Sequence, residues 1–392
     1  MELKKIIIQR ISGLLCLTIL TLFCLSACQN NSRSEADENQ TNYHIAGQVE
    51  QFPDSAEVYL YAFDPIKQIS TPIDTSQIDD KGKYQLSYEF SEPSLLKLRF
   101  FGEQTVYIVV DEGQNDVTLN VEGKRKGSAL VKGSPDSEKL LAYEKFRVAS
   151  YNQWVRPTYD SMDAATERGD TQAEIEAVHQ YTINNEIHRK ELIDFTKKEI
   201  GTSIALYGTM LRWTGDDKIG ELEALVSAFK AEHPSLTMTS HMQDKVSRFK
   251  KVAIGVQAPP LAQSDTAGNM VDLADINAKV ILIDFWASWC GPCILQIPDL
   301  NEAYDKYHEK GFEIVSVSVD HNGDKWKRAI RKYEMPWIHM SDLKEWESDA
   351  AKNYNVTFVP FNFLLDGEGK ILAKNLHSKA LSDKLEELLV SN

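Results

Sequence analysis

The run Val280-Ile281-Leu282-Ile283-Asp284-Phe285-Trp286, followed two residues later by Trp289-Cys290-Gly291-Pro292-Cys293, constrains this chain more than any other stretch. An apolar segment of that length reads as a strand buried in a sheet. Behind it a short turn leads to two cysteines at i and i+3, where a helix can begin. That spacing brings two sulfurs close enough to cross-link and sets the first at a helix N-terminus. Free backbone N–H groups and the helix dipole there favour a thiolate over a thiol. The pattern therefore implies reversible dithiol–disulfide exchange as well as a fold.

The rest of the cysteine inventory sharpens this reading. Five cysteines are present. Lys4, Lys5 and Arg10 precede an apolar stretch from Ile11 to Leu25, which is short for a membrane span and reads as a secretory signal over residues 1–27. It ends in Leu25-Ser26-Ala27-Cys28, which resembles the lipobox of bacterial lipoproteins. That resemblance implies cleavage, a lipid on Cys28 and a membrane-anchored protein of the cell envelope facing the periplasm, with surface display as the other orientation; a plain signal peptide is the alternative. Residues 28–42 are polar and read as a flexible tether. Cys16 and Cys24 leave with the leader, so Cys290 and Cys293 are the cysteines of the mature body. One i,i+3 pair closes almost no loop and adds little stability, so its value is chemical. The net charge is −15, from 58 acidic and 43 basic residues, which argues against nucleic-acid binding.

Three regions follow the tether. Over 43–134 apolar residues alternate with polar ones: Tyr84, Leu86, Tyr88, Phe90; Leu96, Leu98, Phe100; Val117, Leu119, Val121. Half-buried antiparallel strands in a sandwich-like domain account for this. Over 135–251 the apolar period becomes helical, with Ser134 or Ser137 as first cap and breaks expected at Asp163–Asp170 and Thr214–Lys218. Its histidines (His179, His188, His233, His241) lack paired metal spacing and read as surface. Over 252–392 strands and helices alternate as β-α-β-α-β-β-α, a mixed sheet with helices on both faces.

This last order, with its Trp-Cys-Gly-Pro-Cys segment, resembles the thioredoxin fold, and the wider sequence resembles the TlpA group of thiol–disulfide oxidoreductases with AhpC/TSA-like domains. Ala258-Pro259-Pro260-Leu261, Met335-Pro336-Trp337 and Leu364-Leu365-Asp366-Gly367-Glu368-Gly369-Lys370-Ile371 carry the wider likeness. The layout is similar to Bacteroidetes-type lipoproteins with a β domain ahead of such a module. The resemblance implies a protein-disulfide reductase needing no cofactor beyond the Cys290–Cys293 pair. Cys290, exposed at the helix start, attacks; Cys293 resolves. Asp284 breaks an apolar strand, and burial should make it hold its proton; the resemblance gives it the proton from Cys293. Pro298 falls where the family kinks its helix. Val359-Pro360 falls at the family's cis-proline, with the Val359 backbone free to pair with an extended substrate. Trp289, Gly291 and Pro292 complete the substrate-binding rim, while Trp286 reads as core. Where many relatives have Glu three residues past the second Cys, this chain has Gln296, which cannot titrate.

The implied partners are protein or peptide disulfides, a membrane thiol-electron donor and the membrane itself. Other readings of the same residues are two structural thiols, half a zinc site (no second Cys pair accompanies it), a peroxiredoxin-like peroxidase, and a binding lipoprotein with an accessory redox domain. The peroxidase motif Pro-x-x-x-Thr/Ser-x-x-Cys is absent before Cys290.

Overall fold

The computed structural model describes residues 41–90, 92–213 and 218–390. The leader 1–27, Cys28, and the tether as far as residue 40 lie outside the described residues, as does most of the expected Thr214–Lys218 break. Residues Thr41–Asn392 form one compact unit.

Its first part is a β sandwich. The strands are β1 (Thr41–Gln48), β2 (Glu57–Asp64), β3 (Ile69–Gln77), β4 (Lys83–Phe90), β5 (Ser94–Phe100), β6 (Gln104–Val110), β7 (Asp116–Val121) and β8 (Ala129–Lys132). They form two four-stranded sheets, ordered β4-β1-β7-β8 and β3-β2-β5-β6. The alternating residues close one core: Tyr84, Leu86, Leu96, Leu98, Phe100, Val117, Leu119 and Val121 are all buried in it. One pairing departs from the antiparallel expectation. β1 and β7 run parallel, Ile45 opposite Val117; the chain passes through β5 and β6 of the second sheet between β4 and β7, so β7 joins β1 by a crossover rather than a hairpin.

The helical part comprises α1 (Pro135–Trp154), α2 (Arg156–Arg168), α3 (Thr171–Phe195), the short α4 (Ala205–Thr209), α5 (Ile219–Glu232) and α6 (Thr237–Lys250). Ser134 caps α1 by accepting the Ser137 N–H. Both serine hydroxyls also donate to the Val109 carbonyl of β6, so the sandwich and α1 are stitched together. Two expectations are corrected here. α2 continues through Asp163, because Asp163 and Glu167 face solvent while Ala165 is buried; the chain breaks only at Gly169, in the left-handed conformation at the helix end. His188 is not a surface residue. It is buried between α1 and α3, where its Nδ1 shares a 2.7 Å hydrogen bond with Ser150, which donates to Glu191.

The C-terminal part begins with a hairpin, β9 (Ala262–Ser264) and β10 (Met270–Asp272). It continues through β11 (Val280–Trp286), α7 (Gly291–Tyr307), β12 (Phe312–Ser318), α8 (Gly323–Lys332), β13 (Ile338–Met340), α9 (Asp349–Asn353), β14 (Phe361–Asp366), β15 (Ile371–Lys374) and α10 (Ser378–Leu389). The sheet order is β13-β12-β11-β14-β15. β11 lies at its centre, parallel to β12 and antiparallel to β14, and every one of its residues is buried. β13 and the β9–β10 hairpin are too short to show a sequence period. Between β14 and β15, Asp366 accepts from the Glu368 and Lys370 N–H groups and Gly369 takes a positive φ, closing the expected hairpin. Strand alternation divides the core. Val280, Leu282 and Trp286 face one side with Ile297 and Leu300 of α7; Ile281, Ile283 and Phe285 face the other.

Candidate active site

Cys290 is the N-cap of α7. Its Sγ accepts the Cys293 N–H at 3.2 Å, with Gly291 and Pro292 forming the first helical positions. Cys290 and Cys293 are joined in a disulfide with Cα atoms 5.2 Å apart. One expectation fails: Cys290 is not exposed. Its residual exposure is 5%, against 4% for Cys293. Both sulfurs belong to the apolar cluster of Trp286, Ile297 and Trp337, against which Val359 packs. What lies open is the rim. Trp289 is 54% exposed, Gly291 and Pro292 face solvent, and a Cβ added at Gly291 would meet nothing within 4 Å. Trp286 is core, as expected. The Val359–Pro360 peptide is cis, and both residues are half-buried. Pro298 sits inside α7.

Asp284 projects toward the α7 side of the sheet, on the face shared by Val280, Leu282 and Trp286. It is 4% exposed. Burial raises its carboxyl to about 7, against a smaller opposing pull from the Ser316 hydroxyl. Ser316 Oγ donates to Asp284 Oδ2 at 3.2 Å and accepts from Trp337 Nε1 at 2.8 Å. Asp284 is one member of a polar row crossing the sheet in register: Asn362 of β14, Asp284 of β11, Ser316 of β12 and His339 of β13. All four are buried. Asn362 is fastened to the Leu376 backbone through both its amide groups. Burial lowers His339 to about 4, so it is neutral at pH 7. Gln296 is on the buried face of α7.

Sequence reasoning overlooked a second carboxylate. Asp320 follows β12 and is almost fully buried. It accepts the Ser288 N–H at 2.9 Å, the Ser288 hydroxyl at 2.7 Å and the Ser318 hydroxyl at 2.8 Å. Together with the Val319 N–H on the Trp286 carbonyl, it fixes the turn that delivers Cys290. The signal was present: Ser316 and Ser318 interrupt an apolar strand as Asp284 does, and Asp320 continues the same alternation just past its end. Asp299, one residue past Pro298, also lies 3.5 Å from His179 of α3 and accepts from Ser378. His179 thus joins the helical part to the helix that carries the dithiol. Among the described residues, no group of three or more His, Cys, Asp or Glu side chains could hold a metal ion.

A mixed five-stranded sheet with a Cys-Gly-Pro-Cys pair at the start of the helix after its central strand, and a cis-proline just before β14, that strand's antiparallel neighbour, defines a thioredoxin-fold redox enzyme. Residues 244–389 match the Redoxin family model, and residues 43–140 match a domain of unknown function, DUF4369. The thiol–disulfide oxidoreductase ResA of Bacillus cereus is 31% identical over 147 residues, spanning 38% of this chain and 83% of that protein. The thioredoxin domain of a thiol–disulfide oxidoreductase from Bacteroides vulgatus is 34% identical, covering 35% of this chain and 98% of its own, with a TM-score of 0.34. A thiol–disulfide oxidoreductase from Bacteroides fragilis is 31% identical over 34% of this chain and 99% of its own, with a TM-score of 0.33. The chain belongs to the TlpA/ResA-like thiol–disulfide oxidoreductases of the thioredoxin superfamily, and its chemistry is thiol–disulfide exchange.

Proposed function

We propose that this protein is an exported, lipid-anchored reductase of protein disulfides, working through Cys290 and Cys293. The observation that carries the reading is the cysteine pair at the N-terminus of α7, with a buried carboxyl on the sheet face beneath that helix. Cys290 as thiolate attacks one sulfur of a substrate disulfide, and the other substrate sulfur leaves as a thiolate. Cys293 then loses its proton to Asp284 and attacks Cys290 Sγ, releasing the second substrate thiol and leaving the enzyme oxidised. A carboxyl titrating near 7 suits that proton transfer at neutral pH. Two electrons and two protons from a membrane thiol donor restore the dithiol. Trp289, Gly291, Pro292 and the Val359–Pro360 backbone form the rim where an extended substrate chain lies. Export and anchoring rest on the basic and apolar leader and on Cys28 in its Leu-Ser-Ala-Cys context.

The test is Cys293→Ser in the full chain. It should accumulate mixed disulfides between Cys290 and substrate proteins of the envelope, and Cys290→Ser should accumulate none. A Cys290–Cys293 potential near that of the oxidant DsbA, about −120 mV, would overturn the reductase direction.

A further inference from the structure

Ser316 and Trp337 form a hydrogen-bonded chain that ends on Asp284, and the reading above gives them no role. Their hydrogen bonds have a fixed direction. An indole N–H can only donate, so Ser316 Oγ must accept from Trp337. The serine has one hydrogen, and its hydrogen-bond partner on that side is Asp284 Oδ2. The chain of donors therefore runs one way, from Trp337 to Ser316 to the carboxylate, and it favours the ionised acid.

We propose that Ser316 and Trp337 are positioning residues that aim one hydroxyl hydrogen at Asp284 and so set the pH at which that acid accepts a proton from Cys293. The inference rests on the role given to Asp284 above and extends it. Among the described residues, Ser316 is the side chain that hydrogen-bonds Asp284. β14 presents Asn362, whose amide is committed to Leu376. α7 carries Gln296 and Cys293 among its buried residues. β13 presents His339, in register with Ser316 and stacked on the Trp337 ring at 5.8 Å between centroids. Its burial keeps it neutral above about pH 4, and among the described residues the groups that shift Asp284 are its buried surroundings and the Ser316 hydroxyl. Without the hydroxyl, burial alone would govern the acid and hold it protonated to higher pH.

The experiment titrates the Asp284 carboxyl by carbon-13 NMR in the oxidised full chain and follows the pH profile of single-turnover reduction of a peptide disulfide in the reduced chain. Ser316→Ala should move both the carboxyl midpoint and the rising limb of the rate upward, by about half a pH unit or more. Trp337→Phe keeps the ring and should shift both the same way by less, because the hydroxyl is then free to turn. Ser316→Thr, which keeps the hydroxyl, should restore the wild-type midpoint. A midpoint unmoved in folded Ser316→Ala and in Trp337→Phe overturns the proposal. Asp284→Asn separates the two levels. If it abolishes the limb while Ser316→Ala leaves the limb in place, only the relay fails. If it leaves the limb unchanged, the acid role of Asp284 fails, and the relay falls with it.

Discussion

Replacing Asp284 by Asn should stabilise the protein, and by an amount that grows with pH. In the folded chain the carboxyl titrates near 7 rather than near its ordinary 3.8, because burial penalises the charge. Between those two values the folded protein holds a proton that the unfolded chain has released, so stability falls as pH rises from about 4 to about 7 and is flat above. The displacement of the carboxyl corresponds to about 4 kcal/mol in all, of which about 2.5 kcal/mol falls between pH 5 and pH 8. Asparagine is nearly isosteric, can accept from Ser316 and has no proton to lose, so it escapes the penalty. The assay is chemical denaturation of the oxidised full chain, wild type against Asp284→Asn, at pH 5 and pH 8. Hydrogen exchange of the β11 amides assigns the transition to this sheet. The advantage of the variant should widen by about 2.5 kcal/mol across that interval. Histidines and surface carboxylates titrate in both proteins and cancel in the difference. A difference that stays constant, or narrows, from pH 5 to pH 8 would refute a desolvated acid at this position.

The polar row and the loop anchor lead to further expectations. His339, held neutral by burial down to about pH 4, contributes stability that is complete above its unfolded value near 6.5 and is lost as pH falls through that interval. His339→Leu should remove about 3 kcal/mol of acid-induced destabilisation, read from denaturation at pH 7 and pH 4. Asp320→Ala strips the acceptor from three donors; it should cost about 2–4 kcal/mol and slow disulfide reduction by loosening the turn before Cys290. Trp289→Ala should leave stability within about 0.5 kcal/mol, since the ring is more than half exposed. It should raise KM for peptide disulfides severalfold, and an unchanged KM would remove Trp289 from the substrate rim.

The redox site was legible because its two signals are local. A Cys-x-x-C pair after an apolar strand, and one acid inside that strand, declare themselves without knowledge of what packs on them. Asp320, Ser316 and His339 were not read because each acquires its meaning from a neighbouring strand: Ser316 is ordinary until register sets it against Asp284. The alternation of Leu96, Leu98 and Phe100 announced the sandwich, but nothing local distinguishes a parallel β1–β7 pairing from an antiparallel one. The error over Asp163 came from treating polarity as a break, when a solvent-facing helix side is polar too. The burial of Cys290 was missed for a related reason: a helix start is exposed only if nothing packs over it, and here Cys290 is part of the apolar cluster of Trp286, Cys293, Ile297 and Trp337.

The sulfur of Cys290 occupies a place usually held by serine, threonine or aspartate, at the cap of α7. In the oxidised protein that cap is a neutral, poorly accepting disulfide sulfur. On reduction and ionisation it becomes an anion facing the same N–H of Cys293 and the positive end of the helix. Each catalytic cycle therefore re-grades the first turn of its own helix from weakly to strongly capped. Fraying of residues 291–294 becomes a readout of how many electrons the protein carries.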